Sequence, residues 1–363
     1  MKKILLGTAA LVGTAVMAQG AAAQVTVKFG GDIRFDAAWI DDDQPNSKDF
    51  NFQQEVRFPI TAEGKSDNGL TYGAFVRLRN TGSTDIAGSP GGAASVAATT
   101  GNNIYAERKY IYVGGGFGRI EMGDEWGAHT KLTGFAPVVG IGQIDGNHGN
   151  WTNNGSFAYQ PSNYNTYDTK ITYFTPRIAG FQAGASYTPE YGQRGDINQV
   201  TRRIKGAGYT DVIELAANYS GEFSGATVNV GAGYSFGDRD TNALREMEIW
   251  NVSASVGYAG FTVGGAYIDN EIGAVDQDGW NVGATYKNGP MGVGISYGTS
   301  ETNGVDDTVW SVGAVYTVAP GLNVAADLYF VDADNASYSA ATYGTARTGN
   351  DATILMFRTQ LLF

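Results

Sequence analysis

Residues 25–39 read VTVKFGGDIRFDAAW. Val25, Val27, Phe29, Gly31, Ile33, Phe35, Ala37 and Trp39 share one parity, while Thr26, Lys28, Gly30, Asp32, Arg34 and Asp36 share the other. A helix of 3.6 residues per turn would mix the two sets on every side; a strand separates them. One face is apolar and the other charged, so the segment needs apolar surroundings on one side and water on the other.

The pattern recurs along the chain. Phe52, Gln54, Val56, Phe58 and Ile60 oppose Asn51, Gln53, Glu55 and Arg57, and Leu70, Tyr72, Ala74, Val76 and Leu78 oppose Thr71, Gly73, Phe75, Arg77 and Arg79. Sixteen strands are predicted, over 25–39, 50–60, 69–80, 104–114, 117–124, 165–175, 179–188, 209–220, 225–236, 247–259, 260–269, 279–288, 290–299, 307–318, 321–331 and 351–363. Short Gly- and Pro-marked turns alternate with longer, polar, often acidic connections at 41–49, 81–103, 125–164, 189–208, 237–246, 270–278, 300–306 and 332–350. Successive connections therefore leave at opposite ends of an up-and-down meander.

A soluble sandwich would bury the apolar faces against each other, whereas a membrane barrel turns them to lipid and keeps the polar faces inside. The polar faces decide. Lys28, Asp32, Arg34, Asp36, Glu55, Arg57, Arg77, Arg79, Arg119, Glu121, Lys170, Glu214 and Asp327 occupy strand positions opposite the apolar set. A dry interior could not hold so many charges cheaply. Backbone groups at an open edge in hydrocarbon would cost several kcal/mol each, so first and last strands must pair. The stretch ILMFRTQLLF at 354–363 fits a closing strand: Leu355, Phe357, Leu361 and Phe363 face lipid, and Arg358 faces in. The fold expected is all-β, a sixteen-stranded antiparallel transmembrane β-barrel.

Composition agrees, with 52 Gly, 21 Tyr, 17 Phe, nine Pro and no Cys. Lys2 and Lys3, an apolar run from Ile4 to about Ala18 and Ala21-Ala22-Ala23 predict a signal peptide over 1–23, with the barrel spanning 24–363. No later window offers 18 uncharged apolar residues, and export without cysteine means folding without disulfides. Removing Lys2 and Lys3 leaves 22 basic against 36 acidic residues, a mature net charge of 22 − 36 = −14. That sign disfavours nucleic acid as a partner.

The signal segment ending AAAQ, the strand VTVKFGGDIRFD, YVGGGFGRIEMGDEW at 112–126, YFTPRIAGFQAGASY at 173–187 and FRTQLLF at 357–363 resemble Gram-negative general diffusion porins of the alphaproteobacterial type. The resemblance implies a water-filled channel in the outer membrane, a homotrimer and contact with outer-membrane lipid and lipopolysaccharide. It also implies a long third outer loop, about 125–164, folded into the lumen as a constriction. Phe357, Leu361 and Phe363 resemble the barrel-closure signal read by the barrel-assembly machinery.

Within such a barrel Arg34, Arg57, Arg77 and Arg79 come from three neighbouring strands and point inward by parity. Two arrangements are open. The loop could bring Asp145, with Asp124 and Glu125 at its base, to face them across the channel; or the arginines could pair locally with Asp32, Asp36 and Glu55. Opposed charges would order water and orient dipolar solutes, so small hydrophilic solutes and ions would pass by passive diffusion under a size limit. The acidic mouth, Asp41 to Asp43, predicts a weak cation preference.

His129 and His148 match no compact zinc spacing, and the loop carboxylates suit a weakly bound calcium at most. No nucleophile, base and orienting group stand at matching heights, so no enzyme is expected. The rivals are a substrate-specific channel and a blocked structural or adhesive barrel. A substrate-specific channel needs a luminal ladder of aromatics or arginines, for which parity supplies only Phe75 and Tyr329 clearly.

Overall fold

The structure is a computed structural model and describes residues 25–44, 47–80, 104–145, 147–152, 167–195, 208–239, 246–334, 337–338 and 347–363. The predicted signal peptide and residues 153–164 of the long connection lie outside them. Among the described residues sixteen strands form one closed antiparallel barrel. They are β1 (in two segments, Thr26–Phe29 and Asp32–Asp42), β2 (Phe50–Lys65), β3 (Thr71–Asn80), β4 (Ile104–Gly115) and β5 (Gly118–Asp124). Then come β6 (Thr169–Phe174), β7 (Phe181–Glu190), β8 (Tyr209–Phe223), β9 (Ala226–Arg239), β10 (Met247–Tyr258) and β11 (Phe261–Ile272). The last are β12 (Val275–Asn288), β13 (Met291–Thr302), β14 (Val305–Ala319), β15 (Leu322–Ala333) and β16 (Asp351–Leu362). Each strand pairs with its predecessor, and β16 pairs with β1.

The two segments of β1 keep one register against β2, with Phe29 opposite Ile60 and Asp32 opposite Arg57. The gap falls at Gly30, opposite Pro59: Gly30 N donates to Pro59 O at 2.9 Å, and proline has no N–H to return. At the seam Gly31 and Phe363 exchange both backbone hydrogen bonds, at 2.8 and 3.0 Å. On its inner side Arg358 donates from Nε and Nη2 to the two carboxylate oxygens of Asp36, at 2.7 and 2.6 Å. That bidentate fork fixes the closing register.

The outward face is mostly apolar. Trp250 and Tyr267, Trp280 and Tyr297, and Tyr297 and Trp310 pair across strands at 5.2, 5.0 and 4.5 Å. Toward the short turns Phe181 and Tyr219, and Phe261 and Tyr286, do the same at 4.8 and 4.4 Å. These rings form two aromatic belts flanking an apolar band, the pattern of a barrel in a bilayer.

Two predicted loops are corrected. Residues 270–278 and 300–306 are tight hairpins, because Ile272 pairs with Val275 and Thr302 with Val305. Asn303 and Gly304 both have positive φ, 51° and 84°, the combination that closes a two-residue hairpin with the strand twist. Beyond the aromatic belt both sides of a strand meet water, so Asp269, Glu271, Asp276 and Asp278 erase the apolar alternation while backbone pairing continues.

Candidate functional site

The inner wall of β1–β4 carries a charge network built around two glutamates. Glu55 meets Arg34 at 3.1 Å, Arg57 at 2.8 Å and Arg79 at 2.6 Å. Glu107, 2 % exposed, meets Arg77 at 2.5 Å and Arg79 at 2.7 Å. Arg34 also reaches Asp32 at 2.6 Å, and Arg77 donates to Tyr167 Oη at 3.0 Å. Local pairing therefore describes the arginines predicted from the sequence, except that Asp36 belongs to Arg358.

Glu107 was not predicted, because its parity opposes Arg108, Tyr110 and Tyr112. A register shift explains it. Arg77 pairs with Arg108 but Leu78 pairs with Ala106, so Glu107 is the extra residue of a β-bulge. A bulge lets two consecutive side chains leave the same face. The clue was the run Glu107-Arg108-Lys109, three charges that no strict alternation could keep out of lipid.

The connection after β5 begins with Asp124 and Glu125. Asp124 meets Lys109 at 3.3 Å and accepts from Thr169 Oγ1 at 2.5 Å. Glu125 binds Arg108 through Nε and Nη2, at 3.0 and 2.5 Å, and lies near Lys131. Neither carboxylate faces the four arginines. Asp145 is coupled to one of them: the surrounding protein pushes its carboxyl up to about 6, with Arg57 pulling the other way.

From Gly127 the chain hydrogen-bonds, in order, to inner-face groups of successive strands. A short helix α1 (Ala128–Leu132) starts this run. Ala128 N donates to Ser186 on β7, His129 N to Glu214 on β8, and Gly134 N to Ser253 on β10, at 2.7, 3.1 and 2.9 Å. Ala136 N donates to Asn281 on β12 at 2.6 Å. Ile141 N and Gln143 N donate to the two oxygens of Asp327 on β15 at 3.0 and 2.8 Å, and Arg358 on β16 donates to Ile141 O at 3.3 Å. Ile141, Ile144 and Trp151 then pack with Val309, Tyr329, Val331, Ile354 and Met356. Burial of each such side chain contributes about 1.5–3 kcal/mol.

Glycines make this wall low enough for the segment to lie against. A Cβ at Gly231 would come 2.6 Å from Leu132 O, one at Gly283 2.8 Å from Pro137 O, and one at Gly294 2.8 Å from Gln143 Oε1. A Cβ at Gly233 would enter the His129 ring. That imidazole bonds Ser235 Oγ through Nδ1 at 2.6 Å and Asn251 Oδ1 through Nε2 at 2.5 Å. Burial lowers its pKa, with Glu214 opposing, so the neutral ring serves as a hydrogen-bonded peg. His148 stacks on Tyr329 at 5.2 Å. Among the described residues no group of three His, Asp or Glu could hold a metal.

The remaining predicted residues, Phe357, Leu361 and Phe363, are exposed on the outward face, and Phe363 lies 6.5 Å from Phe58. Sequence reasoning missed Asp327 as an anchor and the glycine floor. Parity put these residues on the inside, but their partners lie up to 186 positions away in the chain.

Comparison with known proteins agrees with the barrel. A family profile described as Gram-negative porin matches residues 7–336. A porin of Rhodobacter capsulatus is 27% identical over 247 residues, covering 68% of each chain. Among solved structures, OmpT of Vibrio cholerae in its trimer form is 15% identical with a TM-score of 0.60, over 93% of this chain and 99% of that one. A variant of the Rh. blastica porin is 16% identical with a TM-score of 0.56, over 93% of this chain and 100% of that one. Closed barrel, outward apolar band and a profile match over most of the sequence give one conclusion: the chain belongs to the Gram-negative porin family and resides in the outer membrane.

Proposed function

We propose that the protein is a water-filled channel through which ions and small hydrophilic solutes diffuse passively, narrowed by residues 125–164 folded into the lumen. The observation that carries this reading is the ordered series of hydrogen bonds from residues 128–143 to inward-facing groups of β7, β8, β10, β12 and β15. A segment that followed the outside of the barrel could not reach those groups. The segment takes up one side of the interior, and the arginine network of β1–β4 forms the other side of the passage.

The proposal extends to the whole protein. Residues 1–23 act as a cleaved export signal, and Phe357, Leu361 and Phe363 act as the closure signal in assembly. Three copies associate, as in the trimer form of OmpT. Purified protein in planar bilayers should give stepwise KCl conductance, with steps grouped in threes. A barrel that inserts but passes no current would instead be structural or adhesive.

Selectivity should respond to pH. Asp145 is charged above about 6 and neutral below it. Reversal potentials in a KCl gradient should show weak cation preference at pH 7.5, shifting toward anions at pH 5. In Asp145→Asn that shift should shrink. A channel already anion-selective at pH 7.5 contradicts the proposed charge balance.

A further inference from the structure

We infer that the β3–β4 side of the inner wall is a binding track for small solutes that combine a flat ring with a carboxylate, a reading that rests on the channel function proposed above. Parity alone gives Phe75 and Tyr329 as inward aromatics, but the bulge and the residues at either end of the long connection bring more rings together. Phe75 and Tyr110 lie 5.4 Å apart, and Trp126 and Tyr167 stack at 5.4 Å. Arg108 joins the two pairs, its Cζ 5.0 Å from the Phe75 ring, 5.1 Å from Trp126 and 5.8 Å from Tyr167. Glu125 holds that guanidinium in place. Farther out, Arg194 lies 5.9 Å from the Tyr105 ring and 5.7 Å from Tyr167. Tyr105 and Tyr110 pair with Arg79 and Phe75, four positions apart on β3, so the track advances about 13 Å at about 3.3 Å per residue. Phe75, Tyr105, Tyr110, Trp126 and Tyr167 all keep part of their surface exposed.

The neighbouring strands supply the charge. Arg79 stands directly across from Tyr105, Arg77 from Arg108, and Arg57 from Arg79. Arg34, Arg57, Arg77 and Arg79 share Asp32, Glu55 and Glu107, which leaves 4 − 3 = +1 on this wall. A carboxylate there gains charge-assisted hydrogen bonds. A ring attached to it rests on aromatic faces one strand away, edges and guanidinium groups already set by Arg108. An aliphatic acid can use the first contact and not the second; a neutral ring can use the second and not the first.

The test uses wild-type channels in planar bilayers in KCl, with benzoate, hexanoate, acetate or benzyl alcohol added to one side. Benzoate should interrupt the current at concentrations about tenfold lower than hexanoate, as expected for ring stacking beside cations. Acetate, which lacks the ring, and benzyl alcohol, which lacks the carboxylate, should each interrupt it less than benzoate does. Combining Phe75→Ala with Tyr110→Ala should bring benzoate to the level of hexanoate, while Asn229→Ala, on the inner face of β9, should keep the wild-type difference. Equal effects of benzoate and hexanoate on the wild type would overturn the track, as would a difference that survives the double substitution. Absence of any KCl current would refute the channel reading itself, a separate and earlier failure.

Discussion

An Asp327→Ala channel is expected to carry a larger and noisier current than its parent. Asp327 is 1 % exposed and accepts hydrogen bonds from Ile141 N, Gln143 N and Tyr329 Oη. Alanine would leave two backbone donors without acceptors, at about 1–3 kcal/mol each, so docking of this turn would weaken by about 2–6 kcal/mol. Ser253 and Asn281 still hold the upstream half, which confines release to residues 139–145 and leaves the barrel closed. Asp327→Asn keeps one acceptor and should fall between. Single-channel conductance and its variance in KCl are the readouts, beside a gel assay for the folded barrel. Unchanged conductance in Asp327→Ala would mean that this turn does not limit the current.

Glu107→Ala should produce the second large effect. The carboxylate bridges Arg77 and Arg79 from a buried position, and removing one partner of such a pair costs about 3–5 kcal/mol because the remaining charge is uncompensated. Arg79 keeps Glu55, which places the expected loss toward the lower end. Glu107→Gln preserves volume and one acceptor but removes the charge. It should stabilise better than alanine while moving the reversal potential toward anions. Unfolding in detergent micelles reads the first effect and a salt gradient the second; a reversal potential unmoved in Glu107→Gln would remove this residue from the permeation field.

The wall was legible because lipid and water impose opposite demands on alternate side chains. Val228 and Val230 must face one way and Asn229 and Gly231 the other, whatever the rest of the chain does, and β9 follows that pattern. The rule fails where one of its two conditions lapses. Above the aromatic belt no lipid remains, so Asp276 and Asp278 read as loop although they pair with Glu271 and Asp269. At Glu107 the alternation itself slips by one residue. The segment 128–143 was the least legible part. Ser186, Asn251, Asn281 and Asp327 look like ordinary wet-face residues, and nothing local distinguishes an anchor from a side chain that merely meets water.

A floor made of hydrogen atoms is easily raised. Gly231, Gly233, Gly283 and Gly294 each lie one codon letter from alanine or valine, and an added carbon at any of them would press on the segment above it. Under the channel reading, a descendant lineage could therefore tighten its molecular sieve by many small, scattered steps. Loosening it would require losing one of a few anchors at once, so the aperture should drift readily in one direction and only by jumps in the other.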